Sequence, residues 1–342
     1  MKLERIESMA TIYDIAKLAN VSPMTVSRVI NDSKNVSEST RAKVNRAIQE
    51  LNYIPNSSAR YLTSKKSNIL SLVITDIRNP FFTKLARGAE DKAKQMGYRL
   101  LLCNSDEDIH KESDYINMLI STGVDGVMIT PSEDGSSENL QILHQNDIPF
   151  ILLDRRIPSV KCDEIHGDSR SGTRRILEHL IQSGHQRIAM INGPLKVSTA
   201  RERHQAYIDT LTVHQLPIKE EYILQSHFKN DQANISNLLS IPIAERPTAI
   251  FAANNFIAIN TIKELRKQNI CVPEDISVAC FDDLDSSLDL NPFLTVVSQP
   301  AYQFGYLGAE MLIERIEATA PPEFRKVVLP SELIVRKSTT SV

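Results

Sequence analysis

Apolar positions along the chain follow two regimes. From Thr11 onward they recur at helical spacing: Ile12, Ile15, Ala16 and Ala19 share one stripe, while Tyr13, Asp14 and Lys17 point away. Thr11 and Asp14, three residues apart, approximate a capping box. After a break at Ala19-Asn20-Val21, Ser22-Pro23 supplies an N-cap and a first-turn proline for a second helix. At about 100° per residue, Val26, Val29 and Ile30 fall on one side of that helix. Met24, Ser27, Arg28 and Asn31 fall on the other. A third helix is predicted from near Ser37 through Val44, Ala47, Ile48 and Leu51, stopped by Tyr53-Ile54-Pro55.

After Lys66 the texture changes to short apolar runs alternating with amphipathic stretches. Strands are predicted at Ile69–Ile74, Tyr98–Cys103, Gly126–Thr130, Pro149–Leu153, Arg187–Ile191, Thr248–Ala252, Ile276–Phe281 and Glu332–Val335. Helices are predicted at Phe82–Met96, Ile109–Ser121, Thr173–Ser183, Arg203–Val213, Asn255–Gln268 and Ala301–Ile316. Such alternation implies parallel sheets covered on both faces, and the length suffices for two lobes. Ligands in such folds bind beyond the carboxyl ends of the strands.

Composition changes this picture in one respect. The net charge of the 342 residues is −3, which alone argues against a nucleic-acid partner. Residues 1–66, however, hold 11 Lys and Arg against 6 Asp and Glu, leaving 28 basic against 36 acidic side chains in the remainder. A basic head precedes an acidic body, as expected of a polyanion-binding module on a larger domain. Cys103, Cys162, Cys271 and Cys280 form no close pair, so a reducing cytoplasm, near the nucleoid, is the expected setting, with neither disulfides nor a metal site. No apolar run approaches the ~20 residues of a membrane span, and the N-terminus lacks a signal-peptide core.

Periodicity leaves the three-helix head open to many roles, but its residues narrow them. The stretch ATIYDIAKLANVSPMTVSRVINDSKNVSESTRAKVNRAIQELNYIPNSSARYL, with TVSRVIN its most specific fragment, closely resembles the headpiece of the LacI/GalR family of bacterial transcription regulators. The resemblance continues through the body. It implies an all-α helix-turn-helix headpiece at 10–55 and a hinge helix and linker at 56–66. An α/β two-lobed, periplasmic-binding-protein-like core follows at 67–342, its first lobe from 67–168 and 299–326, its second from 169–298 and 327–342. It assigns Pro23, Met24 and Arg28 to base reading, Arg28 as a guanidinium able to grip guanine O6 and N7 together. Thr25, Ser27 and Asn31 become phosphate contacts, and Thr11, Ser22, Tyr53, Asn56, Ser58, Ala59 and Arg60 complete the DNA-facing set. Leu62 becomes a minor-groove wedge at the operator centre, which requires two hinge helices and therefore a homodimer on a palindrome. No leucine heptad follows Val335, so a dimer is expected rather than a tetramer.

Polar residues collect where strands are predicted to end: Asn79-Pro80-Phe81-Phe82, Asp154-Arg155-Arg156, Asn254-Asn255, Asp282-Asp283 and Gln299-Pro300. Singly, each is ordinary turn chemistry. Together, carboxylates and guanidiniums offer a hydroxyl cluster both acceptors and donors, and aromatic faces suit the apolar side of a sugar ring. The resemblance places the effector site at Asn79, Phe81, Phe82, Asp154, Arg155, Arg203, Phe228, Asn254, Asp282 and Gln299. Two residues depart from the family pattern: Asn255 where Asp is usual, and Cys280 where Gly is usual. Arg155 and Arg203 also leave room for an anionic sugar acid or phosphate.

Motifs for dinucleotide, P-loop or zinc-protease chemistry are absent, and neither catalysis nor a cofactor is expected. Gly167-Asp168-Ser169-Arg170-Ser171-Gly172 lacks the spacing of a nucleophile elbow, and Asp168 is expected to cap the next helix. His185 is expected to be structural. The function expected is a ligand-responsive DNA-binding regulator, a repressor of carbohydrate genes answering to a sugar. The alternatives are a regulator answering to a non-sugar metabolite such as a nucleobase, or a solute-binding protein or enzyme with an accessory DNA-binding head.

Overall fold

The computed structural model describes residues 10–30, 35–53, 66–226, 235–284 and 292–342. The chain divides into two compact units that meet between Ser67 and Asn68.

The smaller unit contains α1 (Ile12–Ala19), α2 (Pro23–Ile30) and α3 (Glu38–Glu50). Thr11 and Asp14 do form the capping box: the Thr11 N–H donates to Asp14 Oδ2 at 2.8 Å and the Asp14 N–H to Thr11 Oγ1 at 3.4 Å. The Thr11 hydroxyl and N–H together hold the Asp14 carboxyl below its ordinary pKa. Asn20 ends α1 in the left-handed region at φ 54°, a conformation Asn tolerates. Ile15, Ala16, Ala19, Val26, Val29, Val44 and Ala47 close a single core.

The larger unit is two six-stranded sheets. The first lobe uses β1 (Ile69–Ile74), β2 (Arg99–Asn104), β3 (Gly126–Ile129), β4 (Phe150–Leu153) and β5 (Asp163–Gly167). Helices α4 (Pro80–Gln95), α5 (Ile109–Thr122) and α6 (Ser137–Gln145) connect its strands. The second lobe uses α7 (Ser169–Gln182), β6 (Ile188–Asn192), α8 (Ser198–Val213), β7 (Ile223–Gln225) and α9 (Ser236–Ser240). It continues with β8 (Ala249–Ala252), α10 (Asn255–Lys267), β9 (Ser277–Phe281) and β10 (Thr295–Ser298). The chain then returns to the first lobe for α11 (Ala301–Ile316) and β11 (Lys326–Leu329), and ends in the second with β12 (Glu332–Ile334).

The strand orders are β11-β5-β4-β3-β1-β2 and β12-β10-β9-β8-β6-β7, all pairs parallel except β12 on β10. Because β11 pairs with β5, Lys326–Leu329 belong to the first sheet and the last crossing between the lobes falls after Leu329. Gly305 allows α11 to press onto α4, since a Cβ there would lie 1.8 Å from the Leu85 carbonyl oxygen. No helix among the described residues is long and apolar enough to cross a membrane.

Periodicity missed β5, β7, β10, β11, α6 and α9. In β5 the reason is charge, because Asp163-Glu164-Ile165-His166-Gly167 does not read as an interior strand. The Asp163 carboxylate takes Arg315 Nε and Nη2 at 2.8 and 2.9 Å and the Arg325 N–H at 2.7 Å. Burial pushes this carboxyl up, but the two arginines outweigh burial and hold it below its ordinary value.

Candidate functional site

In the head, the two faces of α2 separate as the spacing predicts. Val26 and Val29 are buried, whereas Met24 and Arg28 stand exposed. Ser22 caps the helix, its Oγ accepting the Thr25 N–H at 3.2 Å and lying 2.9 Å from the Thr25 hydroxyl. Pro23, Thr25 and Ser27 are half-buried beside them. Tyr53 packs partly against the head core. Asn31, Asn56, Ser58, Ala59, Arg60 and Leu62 lie outside the described residues, as does Phe228 of the core.

In the core, strand ends from both lobes enclose a cavity of about 30 Å³. Asp154 follows β4 and Asp282 follows β9, in matching places of the two lobes. Both adopt the left-handed region, at φ 64° and 67°. Asp tolerates this conformation, and non-glycine residues held there concentrate at functional sites. Asn79, Phe81 and Phe82 come from the start of α4, Arg155 from the β4 loop, Arg203 from α8 and Asn254 from the start of α10, all on the cavity wall. Gln299 stands behind, donating from Nε2 to Asp282 Oδ1 at 2.7 Å. Gly167 makes this reach possible, since a Cβ there would lie 1.7 Å from Gln299 Oε1.

Burial governs the electrostatics. It raises the Asp154 carboxyl to about 6, helped by Asp282 and opposed by Arg155 and Arg203. Burial raises Asp282 as well, against Arg203 and Gln299, and lowers Arg203. The Arg203–Asp282 pair is 3.7 Å apart, too far to outweigh desolvation of either partner. The Arg203 guanidinium also donates to the Ala253 carbonyl at 2.5 Å and lies 3.7 Å above the Phe281 ring. Arg155 differs: burial lowers its pKa, but Glu107 overrides this and holds it raised. Glu107 grips it with both oxygens at 2.6 Å, and the Pro131 and Ser132 carbonyls accept at 3.2 and 3.0 Å. Both terminal nitrogens of Arg155 are thereby engaged by protein acceptors.

Sequence reasoning missed Glu107, Asp76, Thr199 and Phe256 on the same wall. Glu107 was findable, because Asn104-Ser105-Asp106-Glu107 follows a strand as the other site residues do. The two departures acquire roles. Asn79 Oδ1 accepts the Phe81 N–H at 3.0 Å as a helix cap, and Asn255 Nδ2 donates to the same oxygen at 3.0 Å from the opposite lobe. A carboxylate could not donate there. The Cys280 thiol donates to the Asp282 carbonyl at 3.6 Å and steadies that loop, while burial pushes its pKa up. Asp168 accepts the Ser171 N–H at 2.9 Å as a cap, and His185 is held between Thr248 Oγ1 at 2.9 Å and the Thr340 carbonyl at 3.0 Å.

The lobes also meet outside the cavity. Asp134 takes Arg201 Nη2 at 3.1 Å, and its N–H donates to the Lys196 carbonyl at 3.0 Å. Glu133 pairs with Lys196, and Glu202 with Arg156. The Arg156 N–H donates to Ser198 Oγ at 2.9 Å. A larger open hollow of about 830 Å³ on the outer first lobe, walled by α6 and Phe324, gathers none of the strand-end polar residues.

Residues 67–336 match the family described as periplasmic binding proteins and sugar binding domain of LacI family, and residues 11–56 match bacterial regulatory proteins, lacI family. The HTH-type transcriptional repressor PurR of Aliivibrio fischeri (strain MJ11) is 35% identical over 333 residues, covering 96% of this chain and 98% of its own. PurR of Vibrio atlanticus (strain LGP32) is 36% identical over 310 residues, covering 90% and 92%. Among solved structures, the lac repressor dimer bound to operator and the anti-inducer ONPF superposes with a TM-score of 0.79 at 26% identity, covering 98% of this chain and all of that one. The transcriptional regulator CelR in complex with cellobiose gives 0.72 at 29%, covering 96% and 99%. The chain belongs to the LacI family of bacterial regulatory proteins and is one of its DNA-binding transcriptional repressors.

Proposed function

We propose that this repressor binds a palindromic operator as a homodimer and answers to a small polar effector of sugar type, seated between the lobes of the core. The observation that carries the reading is the closure of donors and acceptors from both lobes on one cavity, with Asp154 of one lobe and Asp282 of the other both on its wall. Ligand pockets usually span ~300–1,000 Å³, so the cleft has to open to admit an effector. Differential affinity for the open and closed arrangements then links the cleft to the head. In the head, Arg28 reads a base pair from the exposed face of α2, with Met24 and Pro23 making apolar contacts and Thr25 and Ser27 reaching phosphates. Leu62 and its neighbours form the hinge contribution of that reading.

A planar nucleobase is the second reading, favoured by Phe81, Phe82 and Phe256 beside the amide and carboxyl groups of the wall. Thermal-shift screening of the full chain against sugars, sugar acids, sugar phosphates and nucleobases, followed by operator binding with and without each hit, separates the two. A sugar hit that changes operator affinity and is lost in Arg203→Ala supports the first reading, and a nucleobase hit with those properties replaces it. On the DNA side, Arg28→Ala is expected to lose preference for operator over random DNA while keeping salt-sensitive background binding. Undiminished preference in a competition gel shift sinks the base-reading role.

A further inference from the structure

The cavity wall carries four carboxyl side chains and two guanidinium groups: Asp76, Glu107, Asp154 and Asp282 against Arg155 and Arg203. Neither guanidinium hydrogen-bonds Asp154: Arg155 is gripped by both oxygens of Glu107, and Arg203 donates to the Ala253 carbonyl and lies 3.7 Å from Asp282, so both ease the Asp154 charge only at a distance. Asp76 is held from the solvent side by Arg78, whose Nε and Nη2 donate at 3.0 and 2.7 Å. A fifth carboxyl, the fully buried Glu112 behind Arg155, accepts the Ser132 N–H at 2.7 Å and Asn139 Nδ2 at 2.9 Å. Asp154 is left over. Its side chain is buried to 8% exposure and lines the cavity, and among the described residues no group donates a hydrogen bond to its carboxyl. Asp282, a second carboxyl, lines the same cavity from the other lobe and its charge adds to the burden on Asp154.

We infer that the effector brings a cationic group, a protonated amine on a compact polar molecule, to the Asp154 carboxylate; the inference rests on the cleft being the effector site. With Arg78 serving Asp76 from outside, the wall still holds one carboxyl more than its guanidiniums match, and that carboxyl is Asp154. A hydroxyl can donate to Asp154 but leaves its charge uncancelled beside Asp282. An ammonium donates and neutralises together, and charge-assisted contacts of this kind are roughly twice as strong as neutral ones. Glu107 is what tips the balance, because without it Arg155 would serve Asp154.

The test uses the full chain and Asp154→Asn, a variant that keeps shape and tolerates the same backbone region. Isothermal titration compares D-glucosamine with D-glucose, D-galactosamine with D-galactose, and 1,4-diaminobutane with 1,4-butanediol. An amine that binds at least about tenfold tighter than its hydroxyl partner, with the ratio collapsing in Asp154→Asn, is the expected result. A hydroxyl member that binds as tightly as its amine, or an amine preference unchanged in Asp154→Asn, overturns the inference and leaves the sugar reading standing. Amine preference confined to the non-sugar pair overturns the sugar reading and keeps the inference. If no member binds, unliganded melting decides. Asp154→Asn should melt a few degrees higher at pH 7.5, by relieving an unpaired buried charge; a lower Tm shows that the carboxylate is already compensated and overturns the inference.

Discussion

At the scale of single residues, Asp154 carries a pH dependence with a definite sign. Its folded-state pKa of about 6 lies above the ordinary carboxylate value. The folded state therefore holds this proton more tightly than the unfolded chain does. The resulting stabilisation is full below about pH 4 and is lost as pH rises through about 6, a matter of roughly 2–3 kcal/mol. Asp154→Asn removes the dependence, so the variant's melting advantage should grow between pH 5 and pH 7.5; a constant gap across a pH series rejects the assignment. Asn255→Asp is expected to set a carboxylate oxygen against Asn79 Oδ1, which is already fixed as a helix-cap acceptor. Effector affinity should fall about tenfold, and binding measured at pH 7.5 checks this. Much of this wall was legible, because Asn79, Asp154, Asn254 and Asp282 all sit where a strand hands over to the next element. Glu107 shares that strand-end position, but its role did not show, because it depends on Arg155, a partner 48 residues away that no local pattern pairs with it.

At the scale of elements, caps and close approaches decide what forms. The Thr11–Asp14 box satisfies the Asp14 N–H at the start of α1, a helix of only eight residues that cannot stand alone. Thr11→Ala should cost about 1 kcal/mol, read as a lower denaturant midpoint for the head with the core transition unchanged. Gly167→Ala should displace Gln299 from Asp282, because the added methyl meets its amide oxygen. Loss of effector response with little change in operator affinity is the outcome expected, and an unaltered effector titration refutes it. Elements with clean apolar periods, such as β1, α5 and α11, were readable from sequence alone. β5 was not, since its interior place depends on Arg315 and Arg325 neutralising Asp163 from far along the chain.

At the scale of the whole core, the lobes are tied at their rim by ion pairs as well as through the cavity. Replacing both Arg156 and Arg201 by Ala frees Glu202 and Asp134 across the lobe boundary. Each partly exposed pair contributes only about 0.2–1 kcal/mol. The double variant should therefore shift the open–closed balance without unfolding the core, seen as an increased radius of gyration in X-ray scattering at unchanged Tm. The order of the strands has a further consequence, in time. Strand β5 is complete at residue 167, but β11, the strand that covers its edge, begins only at residue 326. At ribosomal speeds of ~5–20 residues per second, the first sheet waits roughly ten to thirty seconds with β5 as an open edge. That edge carries Asp163, Glu164 and His166, and charge on a bare edge discourages another chain from adding to it. The residues that hid β5 from a reading of apolar pattern are thus the ones that guard the nascent protein until its last strands are made.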